Sequence, residues 1–488
     1  MLSVEDGLLD YMFARGLLPS YAFPRDLCSL HIEHYDRNLF PPVVIDEKPQ
    51  QSLSVALSEY APGKQLVVNK KTYKVGTIAA SSPFTEVNRA RALFDAAKHY
   101  VHCSECLYTA GFATNEFQET PCPQCGNDSL ECVKVVTPEV VYPSNGQEVN
   151  EYDDEQTFSR ASAAQLPLPE TVQPFPSIPF SVSSELTTLR SHPLVMVNRG
   201  PETQDGVEGF LVCSDCGKVW LDETTPKAHS RDYNIQPMAG VAAPRYCNGT
   251  FERVYLGYAF VSDVMVIRFK VQDPLRFDLM QPRFRRPLED ALTSLADTLV
   301  LAMSRVMDID VREINAGHRF AVYGTQVFAD IFLYDTLSGG AGYAYQAGQN
   351  FEEIFKVALE ILQSCSCDAS CESCLRHYGN RFNHSVLDRH LALDIARYIH
   401  NGSIPPDVSP GKSNEVLTPL AELLRLAGWE VMTTEDGGLS ARIKQKHILV
   451  KAVPSLRSPP TTPASAAIVY FSEYELKRDL ASAYAELA

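Results

Sequence analysis

Residues 365–374 read CSCDASCESC, which puts four cysteines within ten residues directly after the helical apolar pattern of Phe351–Gln363. Zinc takes about four thiolate or imidazole ligands in a tetrahedron, and only a tight loop can place four such close thiols around one ion. An iron–sulfur cluster is the competing interpretation, because iron also accepts shells made only of thiolates. The stretch therefore predicts a metal-stapled loop with these ligands: Cys365, Cys367, Cys371 and Cys374.

A second group of four cysteines has zinc-ribbon spacing. The pairs Cys103-x2-Cys106 and Cys122-x2-Cys125 are separated by 15 residues, which is room for a short hairpin between two metal-binding turns. The alternative is a set of buried free thiols. We predict a structural zinc ion here.

A third group has only three cysteines, Cys213, Cys216 and Cys247. His229 is the best fourth ligand, since Asp215 and Asp222, though nearer, suit a thiolate-rich site poorly. The alternative is that His229 is an exposed loop residue and the site is vestigial. Eleven of the 13 cysteines thus fall into metal-ligand groups, and the shells look complete, so we expect about three structural Zn²⁺ ions, no catalytic residues and no other cofactor.

Composition limits the classes of partner. The 488 residues are 45% hydrophobic and 21% charged, with a formal net charge of −17, and metal-bound thiolates would make the folded chain more acidic still. Such a surface does not attract nucleic acid as a whole, so any DNA contact must be a local basic patch. One concentrated patch exists, with a solvated loop as the alternative interpretation: Arg276, Arg283, Arg285 and Arg286.

No signal peptide or membrane-spanning stretch is expected from the sequence, which favours a cytoplasmic protein with reduced thiols and no membrane partner. The fold class predicted is a mixed α/β multidomain chain, with zinc ribbons, an α+β zinc-binding domain and a small C-terminal α/β unit. The expected segments are a helicase-associated N-terminal segment (1–84), a zinc ribbon (85–136), an extended Pro-, Ser- and acid-rich connection (137–205), a second zinc module (206–255), a zinc-binding domain (256–402), a linker (403–414) and the C-terminal α/β domain (415–488).

Local patterns predict several elements. Leucines at spacings of three and four indicate a helix over Pro287–Met307. Val87–Tyr100 is predicted as helical, and Phe251–Phe269 as a pair of strands turning near Gly257. Residues 1–30 are predicted to form a helix that leads into a turn. Ser385 and Asp388 suggest a capping box for a helix that runs through His400.

Three polar segments have two interpretations each. The loop 335–344, DTLSGGAGYA, could wrap an anion with backbone N–H groups, but close packing at a strand-to-helix turn is the preferred interpretation. In the C-terminal unit, Glu415, Asp436, Lys444 and Lys446 suggest a nuclease site, although the acidic pair is badly spaced. A polar row after the third cysteine group suggests hydrogen-bonded support for the metal loop, rather than a nucleic-acid or catalytic surface: Arg376, His377, Asn380, Arg381, Asn383, His384, Asp388 and Arg389.

Taken together, these residues resemble a known family. The strings LYDT (333–336) and GGAGY (339–343), the four-cysteine loop with Leu375, Asn380 and LDR (387–389) look like the zinc-binding domain that ends MrfA-type superfamily 2 DNA helicases and also occurs in the DrmB subunit of the DISARM phage-defence system. Residues 8–26 and 57–76 are similar to the segment after the second motor domain of those helicases.

The resemblance implies that Cys365, Cys367, Cys371 and Cys374 are zinc ligands. It also implies a noncatalytic subunit of a DNA helicase or translocase complex, in phage defence or DNA repair, which docks a superfamily 2 motor in trans and guides DNA. We expect no ATP hydrolysis by this chain, because it has no Walker A or B motif. The alternatives are a nuclease-like effector acting through 415–488 and a free-standing DNA-binding module.

Overall fold

The computed structural model describes residues 26–106, 108–113, 121–150, 157, 159–168, 177–202, 206–220, 225–237, 245–444, 446–460 and 467–487. The helix expected within residues 1–30 lies mostly outside this part of the chain, and its last residues, Leu27–Leu30, form a strand. None of the described helices combines the length and the apolar character that crossing a bilayer requires.

The described residues form a mixed α/β chain. Its strands are β1 Leu27–Leu30, β2 Ile32–Tyr35, β3 Val43–Glu47, β4 Gln50–Ser52, β5 Gln65–Val68, β6 Lys71–Ala79, β7 Lys98–Cys103, β8 Thr109–Ala113, β9 Leu130–Val136, β10 Val140–Pro143, β11 Ile178–Pro179, β12 Ser184–Asn198, β13 Phe210–Cys213, β14 Val219–Trp220, β15 His229–Ser230, β16 Tyr246–Cys247, β17 Phe251–Val271, β18 Ile314–Tyr323, β19 Gln326–Asp335, β20 Glu430–Thr433, β21 Leu439–Ile443, β22 Lys446–Val453 and β23 Ile468–Ser472. Its α-helices are α1 Leu53–Glu59, α2 Arg91–Asp95, α3 Pro282–Met307, α4 Tyr343–Ala347, α5 Phe351–Ser364, α6 Arg389–Asn401, α7 Pro410–Leu426, α8 Glu473–Arg478 and α9 Leu480–Leu487.

The chain divides into two compact units. The first comprises the described residues within 1–171, 191–262 and 336–341, and the second those within 172–190, 263–335 and 342–488. In the first unit a five-stranded sheet has the order β4-β1-β10-β6-β5, with β1 and β10 parallel. The hairpin β7–β8 continues through β9, which pairs in parallel with Tyr255 and Leu256 of β17. The first part of β17 also pairs with β13, which ends at Cys213. Strand β7, which ends at Cys103, is joined to the same strand through β9.

The second unit is built on the antiparallel strands β17, β19 and β18, which pair over Val264–Val271 and Ile314–Tyr323. Helix α3 buries a row of leucines, including Leu292, Leu295 and Leu299, and contacts α5 and α6. The C-terminal residues form a four-stranded sheet of order β20-β21-β22-β23 with its own core of α7, α8 and α9 side chains. The predicted mixed α/β class is confirmed.

Four local predictions differ from the structure. Helix α2 spans only Arg91–Asp95, and the residues after it, predicted as helical up to Tyr100, belong to strand β7. Phe251–Val271 is one continuous strand and not a pair. Gly257 allows close approach rather than a turn, because a Cβ there would lie 2.7 Å from the Met196 carbonyl oxygen. The stretch 137–205, expected to be an extended connection, contains the 15-residue strand Ser184–Asn198, whose last five residues are buried.

Helix boundaries account for the remaining differences. Asp388 is itself the N-cap of α6, accepting from the backbone N–H groups of His390 and Leu391, so the expected box with Ser385 is wrong. Helix α7 starts at Pro410, inside the stretch predicted to be a linker, because proline is well suited to the first helical position. For the same reason α3 starts at Pro282. Arg283, Arg285 and Arg286 therefore lie in the first two turns of this helix and not in a loop.

Candidate metal centres

The loop after α5 brings all four cysteines of the 365–374 stretch together. The Sγ–Sγ distances are 3.5 Å for Cys365–Cys371 and 3.7 Å for both Cys367–Cys374 and Cys371–Cys374. A tetrahedron with Zn–S bonds of about 2.3 Å has sulfur–sulfur edges of about 3.8 Å, so these thiols already lie near the corners of a zinc shell.

Polar side chains that follow the loop hold its backbone. The Arg389 guanidinium donates to the Cys367 carbonyl at 2.7 Å and to the Leu362 carbonyl at 3.2 Å. The Arg376 side chain donates to the Ser370 hydroxyl at 2.9 Å. These contacts support the interpretation of the polar row as a hydrogen-bonded support of the metal loop.

A second layer of this support comes from α3. The Asn380 side-chain amide donates to the Leu375 carbonyl at 2.8 Å and to the carboxylate of Asp297 at 3.2 Å, and Asn383 donates to the same carboxylate at 3.4 Å. Burial raises the pKa of Asp297 to about 6, with the two amides acting in the opposite direction. Sequence reasoning missed Asp297, because it lies 83 residues before Asn380 and no local pattern marks it.

The ribbon cysteines form a second tetrad in the first unit. Cys103 ends β7, and its Sγ lies 3.8 Å from the Sγ of Cys125, while the Sγ atoms of Cys106 and Cys122 are 3.5 Å apart. The Ser129 hydroxyl lies 3.0 Å from the Cys103 Sγ and fixes its orientation. These distances match the same tetrahedral edge.

The third tetrad combines three thiols with an imidazole. Strands β15 and β16 place His229 directly opposite Cys247, and β13 ends at Cys213. The Cys213 and Cys247 Sγ atoms are 3.8 Å apart, and the Cys216 Sγ lies 3.2 Å from the His229 Nε2. All four side chains are buried, so the alternative of an exposed loop histidine does not describe His229.

Neighbouring thiols within the tetrads differ in pKa. A hydrogen bond from Cys365 lowers the pKa of Cys371 to about 7, and one from Cys216 lowers the pKa of Cys213 to about 5. Burial raises the pKa of Cys122 to about 11 and that of Cys367 to about 12. A divalent ion bound at such a tetrad stabilises its thiolates, four in two of the tetrads and three beside His229 in the other, and releases their protons.

Each of these tetrads has its four ligand atoms within 4.8 Å of one another: Cys103, Cys106, Cys122 and Cys125; Cys213, Cys216, His229 and Cys247; and Cys365, Cys367, Cys371 and Cys374. In the described part of the chain, no other group of three or more such side chains is that close. The donor sets suit zinc, and the chain has about three zinc sites. Of the two cysteines outside the tetrads, Cys28 is fully buried and Cys132 is exposed on β9.

The backbone N–H groups at the end of the glycine-rich loop bind a carboxylate of this chain, that of Asp335. The buried carboxylate of Asp335 accepts from the backbone N–H groups of Gly342 at 2.7 Å, Tyr343 at 3.2 Å and Ala344 at 2.8 Å. These are the first N–H groups of α4, which a helix leaves without intrahelical partners. The contacts agree with the interpretation of close packing at a strand-to-helix turn.

Three of the four candidate DNA-contacting arginines form ion pairs with acidic side chains. Arg283 pairs with Glu475 and lies 2.8 Å from Glu486, and Arg276 lies 3.7 Å from Glu475. Arg285 forms an ion pair with Glu289 at 3.1 Å. Arg286 is exposed in the second turn of α3.

The candidate nuclease residues take part in ordinary structural contacts. Lys451 lies 2.7 Å from Asp436 and lowers the pKa of that carboxyl to about 2. Lys446 donates to the Leu487 carbonyl at 2.7 Å, and Lys444 occupies the turn between β21 and β22 with φ of 52°. Glu415 is exposed on α7.

Comparison with known proteins identifies the region around the 365–374 tetrad. Residues 295–375, which include all four of its cysteines, match the MrfA Zn-binding domain family. The chain is 36% identical over 502 aligned residues to Druantia protein DruE of Escherichia coli, an alignment that covers 99% of this chain and 27% of that protein. The chain thus spans about a quarter of the length of this curated relative. An uncharacterised protein of Methanocaldococcus jannaschii is 36% identical over 90 residues, which is 18% of this chain and 80% of that protein.

Among solved structures, the DUF1998 helicase MrfA bound to DNA is similar with a TM-score of 0.35 and 12% identity, over 74% of this chain and 33% of that chain. The same helicase bound to DNA and AMPPNP gives a TM-score of 0.27 and 10% identity, over 75% and 31% of the two chains. Residues 295–375 of this chain thus match the MrfA Zn-binding domain family, and almost the whole chain is similar to about a quarter of Druantia protein DruE.

Proposed function

We propose that this chain is a zinc-stabilised, noncatalytic component of a DNA helicase or translocase assembly in phage defence or DNA repair. The observation that carries the proposal is the tetrad Cys365–Cys374 inside the MrfA Zn-binding domain, with its thiols at zinc-shell distances and its loop hydrogen-bonded to α6. A site with four protein ligands has no open position for a substrate, so its role is structural. The ligands of the three ions are the twelve residues of the tetrads.

The chemistry of the assembly belongs, in this proposal, to a superfamily 2 motor supplied by a separate polypeptide. The chain docks that motor and guides DNA. The relation to an MrfA helicase domain and to a Druantia protein supports a helicase context and a defence role. The sequence has no Walker A or B motif, so we expect the ATP-hydrolysing residues to lie in that motor.

The test is reconstitution with a superfamily 2 helicase motor, for which a helicase found in a neighbouring gene would be the first choice. We expect the full-length chain to co-elute with the motor and to change its DNA-stimulated ATPase rate, while the chain alone hydrolyses no ATP. The Cys371→Ser variant should lose this effect, and Cys132→Ser, which alters a cysteine outside the tetrads, should keep it. A chain that neither co-elutes with the motor nor alters its ATPase would refute the proposal.

Assays on the same purified protein distinguish the proposed function from two alternatives. A nuclease acting through 415–488 would cleave DNA with Mg²⁺ or Mn²⁺ and lose this activity in Glu415→Ala and Lys444→Ala. A free-standing DNA-binding module would bind duplex DNA without the motor, with an affinity that falls steeply with salt and depends on Arg285 and Arg286.

A further inference from the structure

One exposed turn that follows the 365–374 metal loop has the chemistry of a base-stacking surface. The 3-10 turn Tyr378–Asn383 begins four residues after Cys374. Tyr378 is 81% exposed and Phe382 is 50% exposed, and in the described part of the second unit no other Phe, Tyr or Trp side chain is that open to solvent. Between them lies Arg381, whose guanidinium carbon is 4.4 Å from the centroid of each ring. We name these three side chains the aromatic platform.

Hydrogen bonds of the buried Asn380 side chain fix the backbone of the turn that carries the platform. Asn380, at the centre of the turn, is 6% exposed, accepts from the His377 backbone N–H at 2.9 Å and donates to the Leu375 carbonyl at 2.8 Å. The His384 Nε2 lies 3.1 Å from the Asn380 side-chain oxygen. Two exposed rings on a fixed backbone lose little conformational freedom on binding, which favours affinity for a flat ligand.

The charge around the platform differs from that of the whole chain. Residues 375–387, LRHYGNRFNHSVL, contain two arginines, two histidines and no carboxylate, in a chain of net charge −17. Arg376 donates to the Ser370 hydroxyl of the metal loop, whereas Arg381 lies between the two rings and donates to the Tyr378 carbonyl at 3.4 Å. Aromatic faces that stack bases, beside a guanidinium that attracts phosphate, are the combination that binds single-stranded nucleic acid.

From this geometry we propose that Tyr378, Arg381 and Phe382 bind single-stranded DNA by stacking its bases, within the DNA-guiding role proposed above, on which this inference rests. A protein partner fits the surface less well, because the apolar patches that mark protein-docking sites usually extend over several hundred Å². The platform offers two rings on a short turn, and the residues next to them, Gly379, Asn383 and Ser385, are small or polar.

The experiment measures binding of the full-length chain to a fluorescent oligothymidine, to a duplex of equal length and to an oligonucleotide of abasic sites. Replacement of either ring, Tyr378→Ala or Phe382→Ala, should weaken binding to the oligothymidine about tenfold, since stacking contributes about 1–3 kcal/mol per base. The abasic strand should bind the wild type and the ring variants equally weakly. Arg381→Gln should reduce the slope of log K against log salt by about 0.7.

Control variants separate stacking from folding. Tyr378→Phe keeps the ring and should bind like the wild type, and Met432→Ala removes an apolar side chain that is 71% exposed elsewhere in the second unit. Zinc content and melting temperature should be the same in all variants. If the wild type binds the oligothymidine and the ring variants bind it equally well, the platform is not the DNA site, although the proposed function stands.

Two other results would also overturn the inference. Ring variants that lose the motor but keep their DNA affinity would identify the platform as a protein-docking surface. A wild-type chain without measurable affinity for single strands would exclude the stacking role, whether or not it binds the motor. If it also fails to bind the motor, the proposed function falls as well.

Discussion

Substitution of a single thiol in the Cys365–Cys374 tetrad should remove one metal ion and unfold one of the two compact units. In Cys371→Ser the Sγ that lies 3.5 Å from Cys365 and 3.7 Å from Cys374 is replaced by a poor zinc ligand. Structural zinc sites contribute an apparent binding free energy of about 10–16 kcal/mol, which is comparable to the entire stability of about 5–15 kcal/mol of a typical domain. Losing half of that contribution is therefore enough to unfold the surrounding helices.

The contacts of the metal loop indicate where the damage should be confined. The loop is joined to α6 through the Arg389 backbone N–H, which donates to the Ala369 carbonyl at 2.7 Å, and through the Arg389 side chain on Cys367. Amide hydrogen exchange should therefore accelerate in α3, α5 and α6, all in the second unit. The other two tetrads belong to the first unit, so β7 and β13 should keep their protection.

The assay combines metal analysis with hydrogen-exchange mass spectrometry on the full-length chain. Zinc should fall from about three to about two ions per chain in Cys371→Ser. The matched control is Cys132→Ser, which changes an exposed cysteine of β9 outside every tetrad and should retain the full metal content and protection. Equal zinc content and equal exchange in the two variants would refute the assignment, and loss of protection in both units would refute its locality.

Two further predictions concern Asp330 and Asp297, two carboxylates of the second unit. Asp330→Asn should lower the free energy of unfolding by about 3–5 kcal/mol in urea titrations, because it leaves the guanidiniums of Arg268 and Arg319, now 2.7 and 2.8 Å from the carboxylate, buried without their counter-ion; a loss below about 1 kcal/mol would contradict this. Asp297→Asn should instead stabilise the chain at pH 8 by on the order of 2 kcal/mol, and not at pH 4. Burial raises the folded-state pKa of Asp297 to about 6, so the stability that its protonated form contributes is complete below about pH 4 and is lost as the pH rises through 6. Melting temperatures at the two pH values test this, and an equal effect at both would exclude the carboxyl as the cause.

The cysteine tetrads could be predicted from the sequence because most of their ligands are close together along the chain. A Cys-x2-Cys turn delivers two thiolates from one turn of chain, and the Cys365–Cys374 tetrad lies entirely within ten residues. Helices α3 and α5 were also predicted, since their apolar residues repeat at helical spacing. In contrast, the prediction of a turn at Gly257 was wrong. A side chain there would collide with the Met196 carbonyl oxygen of a neighbouring strand, and that strand is distant in the sequence.

Sequence alone therefore determined which residues could hold zinc, the mixed α/β class and the family resemblance, all of which rest on short-range spacing. Tertiary structure decided that His229 faces Cys247 across a strand pair, that Asp297 supports the metal loop, and that Asp330 pairs with two arginines from neighbouring strands. It also placed Tyr378 and Phe382 on either side of Arg381. The physical reason is that strand register and burial are set by contacts between residues far apart in the chain, which no local pattern encodes.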